Sequence, residues 1–336
     1  MTIASNKALL PFNTFGLEAS ARHFAVVSNR SDLVAALRSG IRPVRILGGG
    51  SNILFTRDVE GLLLKNEIKG MDLVRAWHNA VHVKVGGGEK WHDFVLWTIQ
   101  QGLGGLENLS LIPGTAGAAP VQNIGAYGVE IKDVMVRLYA TDLETGKERV
   151  FTRKECQFGY RDSIFKQSAK GRYCITSVVF SLTRHRHRLH TDYGDIQKKL
   201  AENGVQIPTP ADISRAVIAI RTAKLPDPAL IGNCGSFFKN PEVEAPVFQR
   251  LRQQYPDAPG YPLPDQKVKV PAGWLIERAG WKGKRVGNTG AYEKQALVLV
   301  NHGGATGNEV RQLAADIIAS VEQLSGIRIE PEVNIW

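Results

Sequence analysis

GLGGLENLSLIPGTAGAAPVQNIGAY, residues 102–127, decides how the rest of the chain is read. The stretch is rich in glycine and small residues and carries one charged side chain, Glu107. A surface linker of this length is normally polar, and a buried helix or strand does not carry so many glycines. Irregular backbone without polar side chains needs other partners for its N–H and C=O groups. A large polar ligand supplies them if the backbone can come close, and glycine removes the Cβ that would block it. Amides converging from such a loop favour an anion, typically a phosphate. A packed crossover loop with no ligand is the plainer alternative.

Upstream, a helix with Ser31 as N-cap precedes a strand at Val44 to Leu47 and the turn Gly48-Gly49-Gly50-Ser51-Asn52. The turn invites a dinucleotide-binding reading, but the spacing fails it. Ile53 stands where the third glycine belongs, and a strand-like run follows instead of a helix. No GK[ST] loop occurs. A phosphate-cradling turn between two strands remains, with an ordinary tight turn as its alternative. A strand at 81–85 and a helix from Glu89, stopping at Gly102, lead into the loop. Beyond it come strands at 134–143, 149–151 and 175–182, then a helix opened by Thr209 and Pro210. Another helix follows Pro271, a strand runs through 296–301, and a long amphipathic helix from Asn308 closes at Gly326. The last ten residues read as one strand. Helices and strands interleave in an α+β pattern, without the regular alternation of a doubly wound sheet.

The chain has 336 residues, room for two or three domains, and an ordinary soluble composition of 43% hydrophobic and 22% charged residues. No run is long and apolar enough to span a bilayer, and the N-terminus lacks the pattern of a signal peptide. Three scattered cysteines argue against a disulfide framework and a structural zinc site, so no metal is expected and a reducing cytoplasm fits. The formal charge of +10 suits steering of an anionic small substrate, and no nucleic-acid module accompanies the Arg184 to Arg188 basic cluster.

Three further segments carry chemistry. In YRDSIFK, Arg161 follows Tyr160, and a guanidinium holds carboxylate or phosphate in a fork; taken alone, a surface ion pair explains it as well. In GNCGSFFKNP, Cys234 has no identifiable base, whereas the Ser236 hydroxyl can hand a proton to a strongly basic carbanion. In EPEV, Glu332 alternates with apolar residues, and a buried carboxylate there would have a raised pKa and act as an acid. An exposed strand-edge glutamate is the alternative.

The ordered set GGGSN, IPGTAGAAPVQNIGAYG, YRDSIFK, GNCGSFFKNP and EPEV resembles the UDP-N-acetylenolpyruvoylglucosamine reductase (UDP-N-acetylmuramate dehydrogenase) family, in its form with an extra tyrosine loop. The likeness runs from about Asn13 to the C-terminus. It implies the α+β FAD-binding fold of vanillyl-alcohol-oxidase type. Residues 1–67 with 327–336 would form the first FAD-binding subdomain, 68–222 the second, and 223–326 a substrate-binding domain. It implies a cytoplasmic, NADPH-dependent monomer that reduces the enolpyruvyl ether of a UDP-sugar for peptidoglycan synthesis and engages neither membrane nor nucleic acid. FAD would be bound by Gly48, Gly49, Gly50, Ser51 and Asn52, and by Pro113, Gly114, Thr115, Gly117, Ala118, Pro120, Asn123, Gly125, Ala126, Tyr127 and Gly128. The turn offers no histidine or cysteine, so non-covalent FAD is expected, unlike in oxidases that tether it there. Arg161, Ser236 and Glu332 match the family's catalytic arginine, proton donor and C-terminal acid. Tyr160, Tyr193, Lys224, Asn240 and Gln295 would contact the UDP-sugar. Two departures stand out: Asn334 where relatives often have arginine, and a chain that stops at Trp336.

Overall fold

Two compact units make up the chain in a computed structural model that describes residues 1–336. Unit one comprises residues 1–7, 20–49 and 59–223, and unit two comprises 8–19, 50–58 and 224–336. The GGGSN turn is therefore a crossing point, where the chain leaves unit one after Gly49 and enters unit two at Gly50.

Unit one is built on two sheets. The smaller pairs Ser20–Val27 and Val44–Leu47 in parallel with the central strand Val59–Asn66. Its middle strand is an apolar run, Leu62, Leu63 and Leu64 all fully buried, as strands covered on both faces require. The helix Arg30–Leu37 packs Leu33, Ala36 and Leu37 against that sheet. Its N-cap is Asn29, whose side chain accepts from the Asp32 amide, and not the expected Ser31. Both are capping residue types, and the earlier one won.

The larger sheet is antiparallel, with strands in the order Glu148–Thr152, Met135–Asp142, Tyr173–Thr183, Ala80–Gly86, Met71–Trp77. Alternation decides its faces. Val81, Val83, Val85, Leu138, Val178 and Phe180 point into one core with Trp91 and Phe94 of the helix Trp91–Gln100. His82, Lys84, Arg137 and Tyr139 occupy the opposite face. The helix Pro210–Lys224 begins at Thr209, as expected, and packs with Ile196–Glu202 in a small cluster of its own.

Unit two has a four-stranded sheet, Gly232–Ser236, Val298–Asn301, Thr289–Ala291 and Arg285–Val286. The 19-residue helix Gly307–Ser325 covers a core of Phe237, Phe238, Leu275, Leu299 and Ile317. Thr306 and Glu309 close a capping box at its start, and Gly326, at φ 66°, ends it. The expected single C-terminal strand is broken in two. Glu330–Pro331 pairs with Phe238–Lys239, and Asn334–Ile335 pairs in parallel with Ile53–Leu54. The break falls after Pro331 and Glu332, where the chain leaves Phe238–Lys239 and takes Ile53–Leu54 as its partner instead.

Candidate functional site

The glycine-rich loop is pinned along its length within unit one. Trp91 donates its N–H to Gly114 (3.0 Å) and its indole N–H to Leu109 (2.9 Å), while Ala116 and Gly117 donate to Glu89 and Gly87, each at 2.9 Å. The protein itself thus satisfies much of the backbone that sequence alone left without partners. Its glycines are also used differently from the expectation. A Cβ on Gly49 would lie 2.9 Å from the Gly114 Cα, and one on Gly117 would lie 2.8 Å from the Gly87 carbonyl oxygen. Glycine is first needed so that the turn and the loop can pack backbone against backbone.

The case for an anion rests on the amides that remain. The N–H groups of Gly49, Gly50, Ser51 and Gly114 donate to no other group of the protein, and Gly50 is buried. Buried N–H groups without a partner are rare in folded chains. Within unit one, Gly49 and Gly114 come from the two segments assigned to the cofactor, and the chemistry of their amides fits the diphosphate of FAD.

At the far end of the loop, three non-glycine residues adopt left-handed backbone: Asn123 (φ 43°), Tyr127 (φ 49°) and Arg161 (φ 53°). Each such conformation costs on the order of 1 kcal/mol and tends to mark functional sites. Hydrogen bonds hold all three. Asn123 donates to Gly159 (2.9 Å), Arg161 Nη2 donates to Gly125 (2.6 Å), and Asn108 Nδ2 donates to both Tyr127 (3.1 Å) and His190 (2.8 Å). The Arg161 guanidinium lies over the Tyr160 ring at 5.3 Å, and the exposed Tyr193 meets Tyr127 edge-on at 6.4 Å. Unit one thus brings together Tyr160, Arg161, Tyr193 and the loop end.

Sequence reading passed over Arg221. It donates to the Leu111 carbonyl (3.3 Å) and hydrogen-bonds Tyr127. Burial and the like charge of Arg161 lower its pKa, partly opposed by Tyr127. Its place in RTAKLP, three residues before Lys224, was the available signal.

In unit two, the strand Gly232–Ser236 ends in a turn organised by Asn233. The Asn233 Oδ1 accepts from Gly235 (2.9 Å) and its Nδ2 donates to Ile231 (2.9 Å), which leaves Ser236 exposed. Glu332 donates its backbone N–H to the Phe237 carbonyl (2.8 Å), which brings its main chain to the residue that follows Ser236. The Glu332 side chain is half-buried, not enclosed as expected. Cys234 is buried, and burial together with the Glu332 charge pushes its thiol pKa up, which removes it as a nucleophile.

The substrate candidates of unit two are less free than sequence suggests. Asn240 Oδ1 accepts from Ala272 (2.9 Å) at the start of the helix Ala272–Arg278, and Gln295 Oε1 accepts from Leu297 (3.4 Å). Their amide nitrogens are the groups left to face a ligand. Lys224 is exposed. The chain end is firmly held, since Asn334 donates to Asn52 through its backbone and its side chain, each at 3.1 Å. Those bonds tie the C-terminal segment to the GGGSN turn.

Comparison with known proteins agrees with this geometry. Residues 21–152 match an FAD binding domain family, and residues 227–336 match the UDP-N-acetylenolpyruvoylglucosamine reductase C-terminal domain. The chain is 52% identical over 332 residues to the UDP-N-acetylenolpyruvoylglucosamine reductase of Pseudomonas aeruginosa, covering 98% of this chain and 97% of the relative. It is 48% identical over 336 residues to that of Flavobacterium johnsoniae, covering 100% of both. A crystal structure of the Thermus caldophilus enzyme aligns with 100% of this chain and 98% of its own at a TM-score of 0.68 and 22% identity, a likeness of fold.

Proposed function

This chain belongs to the UDP-N-acetylenolpyruvoylglucosamine reductase family, and from that premise we propose how its residues divide the reaction. It is an FAD-dependent oxidoreductase of peptidoglycan precursor synthesis with the α+β fold expected. In the finer reading, NADPH reduces the flavin, UDP-N-acetylenolpyruvoylglucosamine is the acceptor and UDP-N-acetylmuramate the product. The three-part division at 67/68 and 222/223 goes with it, as do a cytoplasmic monomer and a small-molecule-only partner set.

FAD, when bound, would supply the hydride chemistry, directed at C3 of the enolpyruvyl group. The amides of Gly49, Gly50, Ser51 and Gly114 would hold its diphosphate. Arg161, fixed by the Gly125 carbonyl, would bind the substrate carboxylate and stabilise the enolate-like charge that develops beside it. Glu332 would share that task in its protonated form. Ser236 gives its hydroxyl proton to C2. Tyr160, Tyr193, Lys224, Asn240 and Gln295 would orient the UDP-sugar.

The observation that best supports this reading is the bond from the Glu332 N–H to the Phe237 carbonyl, which joins the strand segment of the proposed acid to the one that ends in the exposed Ser236. Stopped-flow absorbance of Ser236→Ala tests it. Flavin reduction by NADPH should keep its rate while reoxidation by substrate slows. Equal slowing of both half-reactions would remove the serine from its role.

A further inference from the structure

The face of the five-stranded sheet turned away from its core is not the neutral polar surface that solvent alone requires. Strand register places Arg137, Lys84 and His82 on it, with Tyr139 two residues after Arg137 on the same strand, and with Asp72 opposite Lys84 and Arg75 opposite His82 on the edge strand. Their side chains are ordered against one another. Arg137 Nε donates to the Tyr139 hydroxyl (3.1 Å), and Lys84 lies over the Tyr139 ring at 5.0 Å. Arg75 lies over Trp77 at 5.3 Å, and Trp77 meets His82 edge-on at 4.5 Å. Arg137 and Arg75 both depress the His82 pKa, after burial, so the cations share one field. The edge strand adds exposed apolar surface to this face through Trp77 (40%).

The Arg184 to Arg188 cluster extends this surface. Arg184 and His185 donate their backbone N–H groups to Asn79, in the turn that joins the edge strand to its neighbour (2.9 and 2.8 Å). Arg184, His185, Arg186 and Arg188 are all exposed. At its other end the face runs into a groove of about 310 Å³ floored by Lys84, Tyr139 and Ser177 and walled by Arg30 and Glu148.

We propose that this face, from the groove to the Arg184–Arg188 cluster, is a docking surface for an acidic polypeptide segment. Charge complementarity selects an anionic partner. Residue type selects protein over nucleic acid. Arg, Trp and Tyr are the side chains that dominate protein–protein contacts. The aromatic rings are already covered by Lys84 and Arg75, so they offer no free platform for stacking bases. The groove also carries acids, Asp72 and Glu148, the latter paired with Arg30 (3.9 Å), so there it suits a peptide's N–H groups while the partner's carboxylates meet the cations beyond it. Side chains held by mutual contacts lose little rotamer freedom on binding.

Poly-L-glutamate and poly(U) are the probes, titrated against the full-length holoenzyme by fluorescence anisotropy at low salt. Poly-L-glutamate is expected to bind, with the double variant Arg75→Glu/Arg137→Glu weakening it at least about tenfold. The control Arg22→Glu, on the other sheet of unit one, should leave binding unchanged. All three proteins should melt alike and keep wild-type turnover, since none of these residues belongs to the reaction machinery. Binding that ignores the double reversal, or poly(U) bound more tightly than poly-L-glutamate, would overturn the proposal. If the double variant failed to fold, the single variant Arg75→Gln, at an exposed position on the edge strand, would read the same contrast.

Discussion

Ser236 ends a strand as an exposed hydroxyl, while its neighbour Phe237 is fully buried and receives the Glu332 N–H. A proton donated from a positioned side chain contributes typically ~10² to 10⁴ in rate. Ser236→Ala should therefore slow substrate-driven reoxidation by about 10²-fold or more while flavin reduction proceeds, as stopped-flow traces at 450 nm would report. Ser236→Cys, which keeps a proton, should recover part of the loss. The thiols make an opposite prediction. Burial pushes Cys156 and Cys174 up to about 12, the Glu155 charge adding to the first, and Cys234 is raised as well. All three should resist a thiol-specific chromogenic reagent at pH 8 in the native enzyme and react in denaturant. A fast-reacting thiol in the native protein would contradict the unreactive role given to Cys234.

At the scale of elements, two connections can be tested. Gly49→Ala would drive a methyl to within 2.9 Å of the Gly114 backbone, where no side chain can swing aside. The variant should retain less flavin per mole of protein, read from visible absorbance after gel filtration, whereas Gly102→Ala, with nothing within 4 Å of its added Cβ, should stay yellow. The hairpin from Met135–Asp142 to Glu148–Thr152 depends on Asp142. Burial raises its pKa, but the N–H groups of Thr145 and Glu144 and the Arg172 guanidinium outweigh that and hold it below its ordinary value. A depressed carboxylate stabilises the fold above its unfolded pKa, near 4, and loses that contribution as pH falls through the lower folded value. Asp142→Ala should lower unfolding stability by about 1–2 kcal/mol at pH 7, with the difference shrinking below about pH 4 in urea titrations.

Legibility followed the same physics. Thr209-Pro210, Gly326 and the hairpin turn at Glu144 to Lys147 are local signals, and each marks the element expected of it. Ser31 gave way to Asn29 because two capping residues compete within three positions. The exposed edge strand Met71–Trp77 shows no alternation to read, and its pairing with Ala80–Gly86 alone makes it a strand. The site was readable as segments. Arg221 was not, because its role depends on meeting Tyr127 and Arg161 from distant parts of the chain.

For the whole molecule, the formal charge of +10 would serve two uses in the reading proposed, anion binding at the site and the basic docking face. Glycine, serine and asparagine alone form the turn Gly48 to Asn52, which offers no tethering side chain. Acid precipitation should therefore leave the flavin in the supernatant, and colour remaining with the pellet would refute non-covalent binding. The most direct test of the central claim is an anaerobic titration of the yellow holoenzyme. NADPH should bleach the band near about 450 nm, and stoichiometric UDP-N-acetylenolpyruvoylglucosamine should restore it with formation of UDP-N-acetylmuramate. A colourless protein, or reduced flavin that this substrate leaves bleached, would contradict the account.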